Sequence, residues 1–129
     1  MIRLEHTACY VRDLEAMKDF YVSYLGATAN EGYHNPTTGL RTYFLSFGGQ
    51  ARVEIMQRPG HDVEPHSQRT GWIHSAFVVG GPEYVDNLAA RLQADGFTIA
   101  NGPRTTGDGY YEAVVIDPEG NDIELVAEY

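Results

Sequence analysis

The chain has 129 residues, 43% hydrophobic and 12% aromatic, enough for one compact domain or two small fused modules with a shared core, and too few for a separate regulatory domain. Nine basic against eighteen acidic residues leave a net charge of −9, with Lys18 the one lysine; nucleic acid and anionic membrane are poor partners, because both need a clustered cationic face. The single cysteine, Cys9, excludes an internal disulfide framework and fits a reducing compartment.

From the N-terminus, Arg3 to Val11 is rich in β-branched and aromatic residues and reads as a strand, with Cys9 a small buried hydrophobe within it. No basic-then-apolar leader pattern precedes it, and no apolar run approaches the ~18 residues of a membrane span, so a cytoplasmic location is expected. Asp13 offers an N-cap to a helix carrying Leu14, Met17, Phe20, Tyr21, Tyr24 and Leu25 at helical spacing, closed by Gly26 in a left-handed cap. Three strands follow, about 27–33, 40–47 and 51–57, the last two joined through Gly48-Gly49-Gln50. Residues 59–71, with Pro59, Gly60, His61, Pro65 and His66, read as a connection. The second half repeats the order: a strand over 72–79, a helix opened by Pro82, faced by Val85, Leu88 and Leu92 and ended at Gly96, then strands near 97–100, 110–116 and 122–127.

Each half is thus strand, helix, three strands: a module over 1–58, a connecting loop over 59–71 and a module over 72–129, within one domain. The copies align in detail. His6 in Leu4-Glu5-His6-Thr7-Ala8 matches His74 in Trp72-Ile73-His74-Ser75-Ala76, and Glu54 in Arg52-Val53-Glu54-Ile55 matches Glu124 in Asp122-Ile123-Glu124-Leu125. The offset is 68 residues at the histidines and 70 at the glutamates, a slippage that one loop accommodates.

Strand alternation puts His6 on a face with Ala8 and Tyr10, Glu54 with Arg52 and Met56, His74 with Ala76 and Val78, and Glu124 with Asp122 and Val126. Val53, Ile55, Ile123 and Leu125, between them, face the helices. Two imidazoles and two carboxylates are a mixed nitrogen and oxygen donor set that suits one divalent ion per site, Zn, Ni, Co, Fe or Mn, with open positions for water or substrate. The duplicated frame points to a site between the halves. His34, His61 and His66 lie in loop-like stretches with no counterpart and read as surface residues; Arg41, Arg58 and Arg104 are each able to grip a carboxylate with two hydrogen bonds.

With these motifs, Asp13-Leu14 through Phe20-Tyr21 to Leu25-Gly26, and Asp117-Pro118-Glu119-Gly120-Asn121-Asp122-Ile123-Glu124-Leu125, the chain resembles the vicinal oxygen chelate superfamily, the glyoxalase I, bleomycin-resistance and extradiol-dioxygenase group. The resemblance covers nearly the whole chain and implies an α+β fold of two paired βαβββ modules, with curved mixed sheets forming an open cleft, commonly in a homodimer. A His, Glu, His, Glu set resembles glyoxalase I, carried here on His6, Glu54, His74 and Glu124. It implies a divalent-metal-dependent lyase or isomerase that shifts a proton through a metal-bound enediolate of a small hydroxy-carbonyl or thiol-adduct substrate, with Glu124 as the base and Glu54 sharing the role. The alternatives within the group are a protein that sequesters a drug or metabolite, which a net charge of −9 suits for a cationic ligand, and a ring-cleaving dioxygenase, which uses one ligand fewer. Bacterial glyoxalase I typically carries Arg four residues beyond its first His and Asn four beyond its first Glu to hold glutathione; here Tyr10 and Arg58 stand at those positions, so the resemblance does not extend to these two glutathione contacts, and Arg58 remains able to hold a carboxylate. Tyr10, Met56 and Arg58 are the candidate substrate contacts.

Overall fold

The protein is described from a computed structural model covering residues 1, 3–60 and 70–128. The chain divides into two units, Met1–Val63 and Glu64–Tyr129, each one sheet with one helix packed on it. Most of the connection over 59–71, including His61 and His66, lies outside the described residues.

In the first unit, β1 (His6–Tyr10) leads through Val11 to α1 (Leu14–Leu25). Asp13 caps this helix, its Oδ1 accepting from the Ala16 N–H at 3.0 Å, and Gly26 ends it in the left-handed region at φ 67. Leu14, Met17, Phe20 and Tyr21, three and four residues apart, are the positions it buries. The expected strand over 27–33 is instead two short pieces, β2 (Thr28–Ala29) and β3 (Tyr33–His34), both antiparallel to β4 (Arg41–Ser46). Asn30 causes the break: its side-chain oxygen accepts from the N–H groups of both Gly32 and Phe44, replacing ladder bonds with a local turn. Gly32 completes that turn at φ 85, where a Cβ would come within 2.9 Å of the Tyr43 ring. His34, expected in a loop, is therefore a strand residue opposite Arg41. β5 (Arg52–Gln57) pairs antiparallel with β4 and parallel with β1, giving the sheet order β1-β5-β4-β2.

The second unit repeats this order with β6 (His74–Gly80), α2 (Pro82–Ala94), β7 (Ile99–Thr105), β8 (Tyr111–Ile116) and β9 (Asp122–Ala127), arranged β6-β9-β8-β7. Pro82 opens α2, where its missing N–H has no helical partner to lose. Val85, Ala89 and Leu92 are the residues it buries. β6 begins two residues later than expected, leaving Trp72 90% and Ile73 70% exposed. β7 is longer than expected and bulged: its register with β8 skips between Asn101 and Arg104. At the bulge Gly102, φ 78, lies so close to β8 that a Cβ would meet the Glu112 carbonyl oxygen at 2.5 Å, which only glycine permits.

The alternation read from the sequence holds on the helix side at Ile55, Ile123 and Leu125, while Val53 is only half-buried. Ile55 and Leu45 are fully buried with the apolar face of α1, and Val115, Ile123 and Leu125 with that of α2. Cys9 departs from expectation. It is exposed, because β1 is a sheet edge and all five of its residues remain exposed.

Candidate functional site

Both halves of the expected ligand set are placed by the same device. Parallel pairing aligns His6 with Arg52 and Ala8 with Glu54 in the first unit, and His74 with Asp122 and Ala76 with Glu124 in the second. In each unit, then, the His stands diagonally across a strand pair from the Glu, two residues away in register and on the same face. His6 Nε2 lies 3.9 Å from Glu54 Oε1, and His74 Nε2 lies 3.3 Å from Glu124 Oε2. Ligand bonds of about 2.0–2.2 Å to a divalent ion put neighbouring donors about 3.0–3.4 Å apart. The second pair already has that spacing, and the first reaches it by closing about half an ångström. The structure therefore brings His6 together with Glu54, and His74 together with Glu124; among the described residues no group of three or more His, Cys, Asp and Glu is assembled.

The surroundings of the two pairs differ. In the first unit, the Glu5 carboxylate contacts His6 Nδ1 and the Arg52 guanidinium, and these two hydrogen bonds hold its pKa below the ordinary 4.5. Arg52 in turn lies over the Phe44 ring at 4.2 Å, and Phe44 meets the His6 ring edge-on at 5.2 Å. The imidazole is thus braced by a closed circuit of Glu5, Arg52 and Phe44.

In the second unit the neighbour is another acid. Glu112 and Glu124 lie diagonally across β8 and β9, where Glu112 opposes Val126 and Val114 opposes Glu124. Burial raises the Glu124 pKa, His74 opposes the rise, and the Glu112 carboxyl adds to it. Glu112 Oε2 is buried without a hydrogen-bond partner among the described residues. Arg104, opposite Glu112 on β7, directs its Nε–H to Asn101 Oδ1 at 3.0 Å. The same register position in the first unit is Thr42, so the two units are chemically unlike at this point.

Of the expected substrate contacts, Tyr10 and Met56 are directly opposed on β1 and β5, on the face that carries His6 and Glu54, and Tyr10 is half exposed. Arg58 is exposed just past the end of β5. Arg41 is already engaged: it donates to Glu15 Oε1 at 2.7 Å, beside the Tyr43 hydroxyl, while Lys18 bonds the other oxygen of the same carboxylate. Sequence reading missed Glu5 and Glu112. Glu5 was signalled by its place beside His6, and Glu112 by strand alternation once β8 is set against Glu124.

A family model described as the Glyoxalase/Bleomycin resistance protein/Dioxygenase superfamily matches residues 3–125. The chain belongs to that superfamily. It is 29% identical over 132 residues to the uncharacterized protein YqjT of Bacillus subtilis, spanning 96% of this chain and 98% of that one. Among solved structures, it is similar to the trypanothione-dependent glyoxalase I of Leishmania major at 26% identity and TM-score 0.81, covering 99% of this chain and 88% of that one. It is also similar to glyoxalase I of Zea mays, at 25% identity and TM-score 0.78 over 96% of this chain and 44% of that one. The α+β architecture of two mixed sheets is the glyoxalase superfamily fold. Among the described residues no helix is long and apolar enough to cross a membrane.

Proposed function

We propose that this superfamily member is a divalent-metal-dependent lyase or isomerase of the glyoxalase I type, acting on a small hydroxy-carbonyl compound or thiol adduct as a homodimer. The observation that carries the proposal is the repeated diagonal: the same His-to-Glu placement across a parallel strand pair recurs in both units, at 3.9 and 3.3 Å. A structural role for either pair alone does not call for the repetition.

His6, Glu54, His74 and Glu124 would hold the ion, a set suited to Zn, Ni, Co, Fe or Mn. When bound, the ion supplies Lewis acidity toward two adjacent substrate oxygens. Glu124 takes the proton from the carbon bearing the hydroxyl and returns it to the neighbouring carbon, so the substrate is isomerised with no net change in atoms or electrons. Burial and the Glu112 carboxyl raise the Glu124 pKa above the ordinary carboxylate value in the metal-free protein. Glu54 would share the role. Tyr10 and Met56 form a mixed aromatic and thioether floor, and Arg58 stands ready for a substrate carboxylate.

The test is proton exchange. Protein loaded with each ion in turn is incubated in deuterated water with methylglyoxal–thiol hemithioacetals and small hydroxy-carbonyl compounds, and deuterium incorporation and product are followed by NMR. Turnover with deuterium entering the product, reduced on the order of a hundredfold or more in Glu124→Gln, supports the reading. Tight binding of a probe that is never altered, under every ion, replaces it with sequestration of a small molecule.

A further inference from the structure

We infer that Glu5 is a positioning residue for the ligand histidine His6: its carboxylate accepts the Nδ1 proton and so commits Nε2, which faces Glu54, to the metal. The inference rests on the ligand set proposed above and adds to it the group that sets its geometry. Glu5 lies just outside β1, where strand alternation no longer forces it to the opposite face from His6, and its side chain turns back onto the imidazole. An ionised carboxylate is acceptor-only, so the proton between them belongs to Nδ1, and Nε2 is the ring nitrogen left to bind an ion.

Glu5 is itself held. The Arg52 guanidinium bonds its other carboxylate oxygen, and the Arg52 backbone N–H donates to the Glu5 carbonyl at 3.0 Å. Arg52 also stacks on Phe44, which closes on the edge of the His6 ring. An imidazole with a fixed tautomer and fixed tilt binds an ion without first giving up rotational freedom, and its basicity is raised by the acceptor behind it. The second unit has no such support from this position. Ile73 precedes His74 and Asp122 stands where Arg52 does, so neither the acceptor nor its clamp is repeated. The duplicated frame therefore braces one histidine from this position and not the other.

The experiment measures Zn(II) and Co(II) affinity by chelator competition, with the His6 ring nitrogens followed by long-range ¹H–¹⁵N NMR in the Zn(II) form. Glu5→Ala is expected to bind the ion 10- to 100-fold more weakly and to lose the slowly exchanging Nδ1–H signal of His6. Glu5→Gln, which keeps an acceptor oxygen, recovers part of the affinity, and Arg52→Gln, which frees Glu5, weakens binding several-fold. Glu5 and Arg52 are substantially exposed, and a circular-dichroism melt confirms that each variant folds. Affinity of Glu5→Ala within twofold of the parent, with the His6 tautomer unchanged, overturns the inference. His6→Ala separates the two claims: if it abolishes binding while Glu5→Ala does not, only the positioning role fails, and if it too leaves affinity unchanged, the ligand set fails.

Discussion

Replacing Glu112 with Gln is expected to stabilise the metal-free protein. Glu112 Oε2 is buried with no hydrogen-bond partner, and the same carboxyl pushes up the pKa of Glu124 across the strand pair. An unsatisfied buried polar atom costs about 1–3 kcal/mol, more when charged. The amide of Gln is nearly isosteric, removes one of two facing charges and offers Glu124 an N–H donor, so we expect a gain of about 1–2 kcal/mol. For a chain of this size that raises Tm by roughly 3–8 °C. Thermal unfolding followed by circular dichroism, at pH 7 in the presence of a chelator, measures it. At acid pH, where the carboxyls are protonated and already share hydrogen bonds, the gain shrinks. Adding a divalent ion raises the Tm of the parent more than that of the variant, because a cation near Glu124 turns the Glu112 charge from a repulsive neighbour into an attractive one. A variant that melts lower than the parent at pH 7, or whose gain is the same at pH 4 and pH 7, refutes the account of this carboxyl pair.

The pH dependence of the metal-free protein has two limbs. Glu124 and Asp117 have pKa values raised by burial, so their contribution to stability is present below their ordinary values and is lost as pH rises through the raised ones. Glu5 and Glu15 have lowered values, so theirs is present above pH 4.5 and lost as pH falls. Tm measured across pH 3–8 is expected to pass through a maximum on the acid side of neutrality, and Glu124→Gln to flatten the alkaline limb; an unchanged limb removes Glu124 as its source. Asp117→Ala is expected to cost about 2–3 kcal/mol in urea unfolding, because Asp117 accepts from the N–H groups of Glu119 and Asn121 and from the Asn121 side chain in the turn between β8 and β9. A loss under 0.5 kcal/mol, on the order of a surface change, contradicts that role. Leu125→Ala, at a fully buried position on the helix side of β9, is expected to cost about 2–5 kcal/mol while leaving ion affinity within a few-fold, and a selective loss of affinity with the fold intact contradicts the separation of core face from site face.

Much of this architecture was legible because its signals are local. Asp13 and Gly26 cap α1 through their own side chain and backbone, Pro82 opens α2, and the alternation around Glu54 and Glu124 separates core from site without knowledge of the partners. What escaped depends on pairing. The interruption between β2 and β3 needs Asn30 to reach the Phe44 N–H fourteen residues away, which no window of propensity contains. The exposure of Cys9 follows from β1 being a sheet edge, a property of strand order rather than of residue type. Glu112 is the one charged residue of β8, with nothing local to mark its role. Its meaning depends on the register of β8 against β9, which places it beside Glu124, and on the bulge at Gly102, which presses β7 against its backbone. Arg41, one of three arginines able to grip a carboxylate, does so with Glu15, a partner twenty-six residues away that only the fold identifies.

The central claim is that the two diagonal pairs serve one divalent ion, and elemental analysis of the purified protein beside His6→Ala, Glu54→Ala, His74→Ala and Glu124→Ala tests it most directly. The account predicts one bound ion per site in the parent after reconstitution with Ni, Zn, Co, Fe or Mn, and its loss in all four variants, since removing any one donor leaves an incomplete set. No bound ion in the parent under any of these metals, or full occupancy in variants lacking a residue of either pair, would contradict it.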